Sequence, residues 1–337
     1  MNEDSLHLPA ASLSTLKMRA KLLGEIRQYF ESHEYFEVET PLLCRESVID
    51  AHLDPFVVEL SNGSSTSPVQ AYLQTSPEFC MKRLLVAGAE RIYQLCKAFR
   101  RDETGRLHNP EFTMLEWYAV GIDQIEQMDF IESLSRQVLR YSVLIEGLPA
   151  RFVRVSYEQA FQKSLNISPL ECTVEEMIQV AQRTIPDEIP VNHKGENEGK
   201  DFWCDLLLTA CVEDWLKKQR AVFVYDYPVS QAALARVSPT DPRVAERFEL
   251  FLDGIEISNG YRELLDAEEL ERRNIIQNQL RIDQGLQPLP ETRHLLSAMR
   301  QGLPDCTGVA LGVDRLLMLA LDCKSIDQVQ AFPFSRV

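Results

Sequence analysis

The stretch Phe99-Arg100-Arg101-Asp102-Glu103-Thr104-Gly105-Arg106-Leu107-His108-Asn109-Pro110-Glu111-Phe112-Thr113-Met114-Leu115-Glu116-Trp117-Tyr118 decides how this chain is read. An apolar strand ends on an arginine, a polar loop turns the chain, and a second strand returns with alternating character. An arginine at that point can fork onto a phosphate, and Phe112 on the return strand offers a flat face to a base. A salt-bridged hairpin with an ordinary core phenylalanine reads the same way, so the stretch needs company elsewhere before it means a nucleotide site.

Two further clusters supply that company. In Gly254-Ile255-Glu256-Ile257-Ser258-Asn259-Gly260-Tyr261-Arg262-Glu263-Leu264, two glutamates flank a glycine-containing bend, where they can share a Mg²⁺ that bridges a triphosphate or simply face solvent. In Gly308-Val309-Ala310-Leu311-Gly312-Val313-Asp314-Arg315-Leu316-Leu317-Met318-Leu319, small residues precede an arginine that opens an apolar helix. Small residues let a substrate approach the backbone, although tight packing explains them equally well. The commoner nucleotide signatures are absent: no G-x-G-x-x-G opens a helix, and Gly199-Lys200 is followed by Asp201 and lacks the upstream glycine of a P-loop.

Outward from these clusters the periodicities predict a mixed chain. Leu16, Ala20, Leu23, Ile26 and Phe30 recur at helical steps, with Ser14 or Thr15 as cap. Tyr35 to Pro41 reads as a strand stopped by proline. Strands are also expected at Phe56-Leu60, Val69-Leu73, Arg91-Cys96, Phe112-Tyr118, Ala221-Tyr225, Phe248-Leu252 and Gly254-Ile257, with a loop at Asn62 to Pro68. Helices are expected over Asp123-Tyr141, Asp205-Lys217 and Asp266-Gln284. Strands and helices without regular βαβ alternation indicate an α+β fold with an antiparallel sheet. A mostly helical stretch at about 145–218, with an exposed polar run from Asn192 to Lys200, reads as an insertion.

Composition narrows the function classes. The 337 residues are 45% hydrophobic and 26% charged, which suits one large globular domain. A formal net charge of -16 removes the basic field that draws proteins to phosphate backbones, so extensive tRNA or DNA binding is disfavoured. The eight cysteines are scattered without a C-x-x-C pair, against a zinc knuckle or disulfide framework. Met1 to Ala11 has no apolar leader, and no run reaches membrane-spanning length, so a cytoplasmic protein is expected.

Together and in this order, the three clusters resemble the three signature motifs of class II aminoacyl-tRNA synthetases, from the Leu16 helix through Pro41 to the C-terminus. The string His108 to Glu116, with Thr75-Ser76-Pro77-Glu78 upstream, is similar to lysyl-tRNA synthetases. Met81 to Gly88, Pro304 to Arg315 and Ala331-Phe332-Pro333 are more similar still to the short paralogues of that enzyme that act on elongation factor P. The resemblance implies an α+β class II catalytic core over residues 1–337, an antiparallel sheet flanked by helices, and no anticodon-binding domain, since the first motif is reached at once.

Carried over by position, the resemblance implies that Arg100 binds the α-phosphate of ATP, Phe112 stacks on adenine, and Arg315 covers the other face near the γ-phosphate, with Arg100 and Arg315 as catalytic groups. His108 and Asn109 would contact the nucleotide, as would Arg101, Asp102 and the backbone at Ile257 and Gly312. Glu256 and Glu263 would hold Mg²⁺. Ser76, Pro77, Glu78, Glu116, Tyr118, Glu263 and Ala310 would bound an amino-acid pocket, where carboxylates meet the ammonium groups of a diamine. The usual Arg-Asn-Glu is here Arg100-Arg101-Asp102, which leaves the role of Asp102 open to Glu103. A lysine carboxylate is already a nucleophile, so positioning and charge stabilisation suffice to form an aminoacyl-adenylate. The implied acceptor is a lysine ε-amine of elongation factor P, and Ala310, where lysyl-tRNA synthetases have glycine, favours (R)-β-lysine over lysine. A homodimer through the first-motif helix is expected. A truncated lysyl-tRNA synthetase, an amide-forming ligase and a catalytically silent paralogue stay open at this point.

Overall fold

The computed structural model describes residues 7–61, 69–190 and 199–337. The loop expected at Asn62 to Pro68 and the polar run at 192–198 lie outside the described residues.

Along the chain, helix α1 (Leu13–Ser32) is followed by strands β1 (Phe36–Glu37), β2 (Leu43–Cys44), β3 (Val57–Leu60) and β4 (Val69–Leu73). Helix α2 (Glu78–Val86), strands β5 (Arg91–Phe99) and β6 (Glu111–Val120), and helix α3 (Gln124–Leu139) come next. The middle holds β7 (Val153–Ser156), α4 (Tyr157–Leu165), α5 (Val174–Thr184), α6 (Lys200–Leu207), α7 (Glu213–Gln219), β8 (Ala221–Pro228), β9 (Val244–Leu252) and β10 (Ile255–Arg262). Helices α8 (Ala267–Asp283) and α9 (Arg293–Met299), strand β11 (Cys306–Gly312) and helix α10 (Val313–Ala320) complete it. No helix among the described residues is long and apolar enough to cross a membrane.

The cap of α1 differs from the expected Ser14 or Thr15. Ser12 has extended dihedrals and accepts a hydrogen bond from the Thr15 amide at 3.1 Å, while Ser14 and Thr15 already lie within the helix and so cannot cap it. The strand expected from Tyr35 to Pro41 shrinks to Phe36–Glu37, beyond which one further bond, Val38 N to Tyr93 O, holds the chain. The helix expected over Asp205-Lys217 is interrupted by a π-turn at Leu208–Val212, where the Glu213 amide reaches back five residues to Leu208.

The chain divides into two compact units, and the first comprises the segment to Asp123 with Asp129–Ile145 and Leu264–Val337. Its main strands run in the order β1-β5-β6-β11, antiparallel except for the β1–β5 pair, beside a small β2-β4-β3 sheet. One sheet face is apolar. Phe30 of α1 stacks on Tyr93 with ring centroids 4.5 Å apart and meets Trp117 and Phe130 edge-on. A polar brace ties the same helix to α10: Arg19 donates to Asp314 at 2.5 Å and to Thr113 Oγ1 at 2.8 Å, and Asp314 also accepts from the Thr113 amide and Gln330. Arg281 of α8 is buried and donates to the carbonyls of Asp50 and Leu53 and to the Asp54 carboxylate at 2.6 Å, fixing the loop that precedes β3.

The second unit comprises Gln124–Met128 and Glu146–Glu263, with strands in the order β10-β9-β8-β7 and a parallel β7–β8 edge. Helices α4 to α7 cover it through Tyr157, Phe161, Trp203, Leu207 and Leu216. Capping boxes start two of them, Ser156 with Gln159 and Thr173 with Glu176.

Because Asp314 is buried and Arg19 is the cation that neutralises it, Arg19→Met should lower unfolding free energy by ~3 kcal/mol or more. Urea denaturation followed by fluorescence checks this, and a loss below ~1 kcal/mol would show that the brace contributes little.

Candidate active site

A pleated strand points alternate residues to opposite faces, and directly paired residues on neighbouring strands share a face. On β6 the residues Thr113, Leu115, Trp117 and Ala119 therefore share the face that Phe30 covers, and Phe112, Met114, Glu116 and Tyr118 share the other. Cross-strand pairing extends this second face in rows. Glu116 pairs with Gln94 of β5 and Ala310 of β11, Met114 with Cys96 and Gly312, Tyr118 with Ile92 and Gly308, and Phe112 with Ala98. The small residues of β11 thus lie beside the functional side chains of β6. Phe112, Glu116, Tyr118, Ala310 and Gly312, named separately from the sequence, belong to one surface.

At one end of that surface, Arg100 leaves β5 with its guanidinium carbon 5.1 Å from the Phe112 ring centroid. It also pairs with Glu103 at 3.5 Å, and its buried Nε has no hydrogen-bond partner among the described residues. A desolvated donor beside an aromatic face is suited to an anion that carries a planar group. Glu103 lies 4.0 Å from His108 Nε2, and that nitrogen sits 2.6 Å from Arg315 Nη2. A guanidinium can only donate, so His108 Nε2 is the acceptor and the ring proton lies on Nδ1. Arg315 Nε donates to the Leu107 carbonyl at 3.3 Å, while the neighbouring Asp314 is fixed by the Arg19 brace.

Three residues expected to contact the nucleotide have the following surroundings in the protein. Arg101 turns to Asp54, 3.2 Å away, which Arg281 also holds. Asp102 occupies a left-handed turn position at φ 65, with an exposed carboxylate, so the shortened side chain points to solvent and Glu103 is the carboxylate that reaches Arg100. Asn109 is buried and engages both ends of its amide, donating to the Glu111 carbonyl at 2.6 Å and accepting from the Phe334 amide at 3.0 Å. It shapes the loop that presents His108.

The other end is acidic. Pro77 caps α2, Ser76 Oγ accepts from the Glu78 amide at 3.0 Å and donates to Glu116 at 2.7 Å, and Tyr118 donates to the second Glu116 oxygen at 2.7 Å. Glu78 is held by Lys82 at 2.5 Å. Burial and the nearby Glu78 charge push the Glu116 carboxyl up to about 8 against the opposing pull of the Tyr118 and Ser76 hydroxyls and the Lys82 cation. Burial and Glu116 likewise lift the Cys96 thiol to about 12.

Sequence reasoning missed Lys82, Gln94 and Asn259. Lys82 stands four residues after Glu78, the spacing that juxtaposes side chains on a helix. Gln94, whose buried Oε1 has no partner among the described residues, shares strand parity with Cys96 and could have been found from its pairing with Glu116.

In the second unit, Glu256 and Glu263 stand an odd number of positions apart and would face opposite ways on a regular strand. A bulge between Glu256 and Ser258 corrects this: Glu256 pairs with Phe251, and Asn259 and Tyr261 pair with Glu249 and Arg247, so Glu256, Asn259, Tyr261 and, two residues on, Glu263 share a face. Ile257 is the extra residue and is buried. Asn259 donates to Tyr261 Oη at 2.9 Å and keeps a buried Oδ1 without a partner among the described residues. Beside Asn259 on the same face, Glu249 is buried, held by Arg247 and Tyr227 at 2.6 Å each. Among the described residues no group of three or more His, Cys, Asp or Glu is arranged around a metal position. A pair of carboxylates nonetheless fits Mg²⁺, which takes one or two from protein and the rest from water and phosphate.

A family model for "tRNA synthetases class II (D, K and N)" matches residues 6–336. The chain belongs to this family. A Vibrio atlanticus protein named elongation factor P--(R)-beta-lysine ligase is 44% identical, over 97% of this chain and 98% of its own. Proteins of the same name from Photobacterium profundum and Salmonella arizonae are 45% and 42% identical, covering 96% and 100% of this chain and 97% and 100% of theirs. Membership makes the chain an ATP-dependent ligase with an α+β core and an antiparallel-dominated sheet.

Gly260 lies opposite Phe248, and a Cβ there would overlap the phenyl ring, whereas a Cβ at Gly105 meets open space. Gly260→Ala should therefore lose ~1–3 kcal/mol of stability in urea denaturation while Gly105→Ala stays within ~0.5 kcal/mol. Equal losses would contradict the close approach that shapes β10.

Proposed function

We propose that this ligase activates (R)-β-lysine with ATP as an aminoacyl-adenylate and transfers it to a lysine ε-amine of elongation factor P. The observation that carries the reading is the single surface of β5, β6 and β11, with an arginine and an aromatic ring at one end and buried carboxyl groups at the other. Phe112 and Glu116 are four residues apart on a strand, ~14 Å, which suits a diamino acid laid end to end with the phosphate that activates it.

In this reading Phe112 stacks on adenine, and Arg100, whose buried Nε has no partner among the described residues, neutralises charge that builds on the α-phosphate. His108 and Arg315 orient the departing end of the triphosphate. Ser76, Glu116 and Tyr118 receive the amine in a pocket that Glu78 also bounds, and the Ala310 methyl lies on the same sheet face as Glu116. Glu256 and Glu263 would hold Mg²⁺, which when bound supplies Lewis-acid neutralisation of phosphate oxygens. The substrate carboxylate needs no general base, and the positioned arginine and hydroxyl groups act by orientation.

The names of the relatives support both the β-amino acid and the protein acceptor. The charge of -16 supports a protein acceptor over tRNA. We place the reaction in the cytoplasm, where the eight free cysteines stay reduced. We read 145–218 as an insertion in the catalytic core. Exposed Leu13, Phe36, Leu42 and Leu43 on and after α1 support a homodimer through that region.

Incubation of the protein with elongation factor P, ATP and (R)-β-lysine, read by intact mass, should add one lysyl unit to a lysine of the factor. Transfer to tRNA with none to the factor would overturn the assignment. Ala310→Gly should raise the kcat/KM ratio of lysine to (R)-β-lysine by ~10-fold or more, since one methyl in a pocket is worth that much. An unchanged ratio would remove Ala310 from the selection of the isomer.

A further inference from the structure

The buried amine end contains more charge than a substrate alone would require. Glu78 and Glu116 are both buried, and Lys82, itself 2% exposed, places its ammonium 2.5 Å from Glu78. Two ionised carboxylates and one ammonium would leave an uncompensated negative charge out of water, which costs several kcal/mol, roughly. Before substrate binds, the pocket resolves this if Glu116 carries a proton. Among the groups facing Glu116 in this unit, burial and the Glu78 charge favour the proton, Lys82 from α2 and the Tyr118 and Ser76 hydroxyls oppose it without prevailing, and Cys96, Gln94 and Ala310 bring no charge.

We propose that Lys82 is a specificity-determining residue that neutralises Glu78 permanently, so that the pocket admits one substrate ammonium and expels the Glu116 proton when it does. The proposal rests on the amino-acid activation reading and deepens it. On binding, the Glu116 O–H bond breaks, its proton passes to solvent, and the substrate N–H donates to the carboxylate left behind. Glu78, Lys82, Glu116 and the bound ammonium then sum to zero charge. Below about 8, where Glu116 is protonated before binding, one proton leaves per amine bound. Above it the carboxylate is already ionised and release fades, so KM for the amino acid should fall as pH rises from 6 to about 8.

The test is charge compensation. Glu116→Gln leaves Glu78 and Lys82 as a neutral pair, so the incoming ammonium has no counter-ion and KM in pyrophosphate exchange should rise ~100-fold or more. Adding Lys82→Met to Glu116→Gln frees Glu78 for the substrate and should recover at least ~10-fold of that loss, with kcat recovering less than KM. A Lys82 that only packs α2 would make the double variant worse than the single, which would overturn the proposal. Calorimetry of wild-type protein with (R)-β-lysine at pH 7, in two buffers of different ionisation enthalpy, gives an independent reading should a variant not fold. Release near one proton supports the proposal, and none refutes it. If the wild-type protein exchanges pyrophosphate with no lysine isomer, the activation reading itself fails, an outcome distinct from exchange without compensation.

Discussion

The two-residue period of a pleated strand is the constraint on which the rest of the first unit depends. It requires that a strand able to bury Leu115 and Trp117 against Phe30 present Phe112, Glu116 and Tyr118 on the other side. A slip of one residue would exchange core and site. Register is therefore protected by the packing of Phe30 on Tyr93 and Trp117, and the chemistry on the reverse face inherits that protection. In the second unit the same rule would have separated Glu256 from Glu263, and the bulge at Ile257 restores them to one face.

Electrostatics then decide what such a surface can hold. Glu116 is buried beside a second carboxylate, and these two effects outweigh its two hydroxyl donors to favour the neutral form until a cation arrives. Arg100 has the opposite character, with a buried donor and an aromatic neighbour. The surface is thus prepared for a cation at one end and an anion at the other. Remote braces hold the arginine end: Arg19 through Asp314 sets the start of the helix that carries Arg315, and Arg281 holds the Asp54 carboxylate with which Arg101 pairs.

Much of this could be read from the chain. The hairpin around His108, the strand parity of Phe112, Glu116 and Tyr118, and the helix α8 with its Asp266 cap follow from period and punctuation. What escaped depended on distant partners. Arg101 follows Arg100 in sequence, and only the Asp54 carboxylate explains why it turns elsewhere. The internal bonds of Asn109 require the C-terminal segment at Phe334, and a bulge leaves no composition signal beyond an odd spacing. The Lys82 ion pair lay within reach of a helical reading but outside the motif that directed attention to Glu78.

The central claim is that Arg100, and not its neighbour Arg101, faces the nucleotide on a surface continuous with the amine end. Exchange of labelled pyrophosphate into ATP with (R)-β-lysine measures it most directly. The account predicts that Arg100→Ala lowers the exchange rate at least ~100-fold while Arg101→Ala stays within ~3-fold of the parent. Comparable losses in both, or full exchange without Arg100, would contradict it.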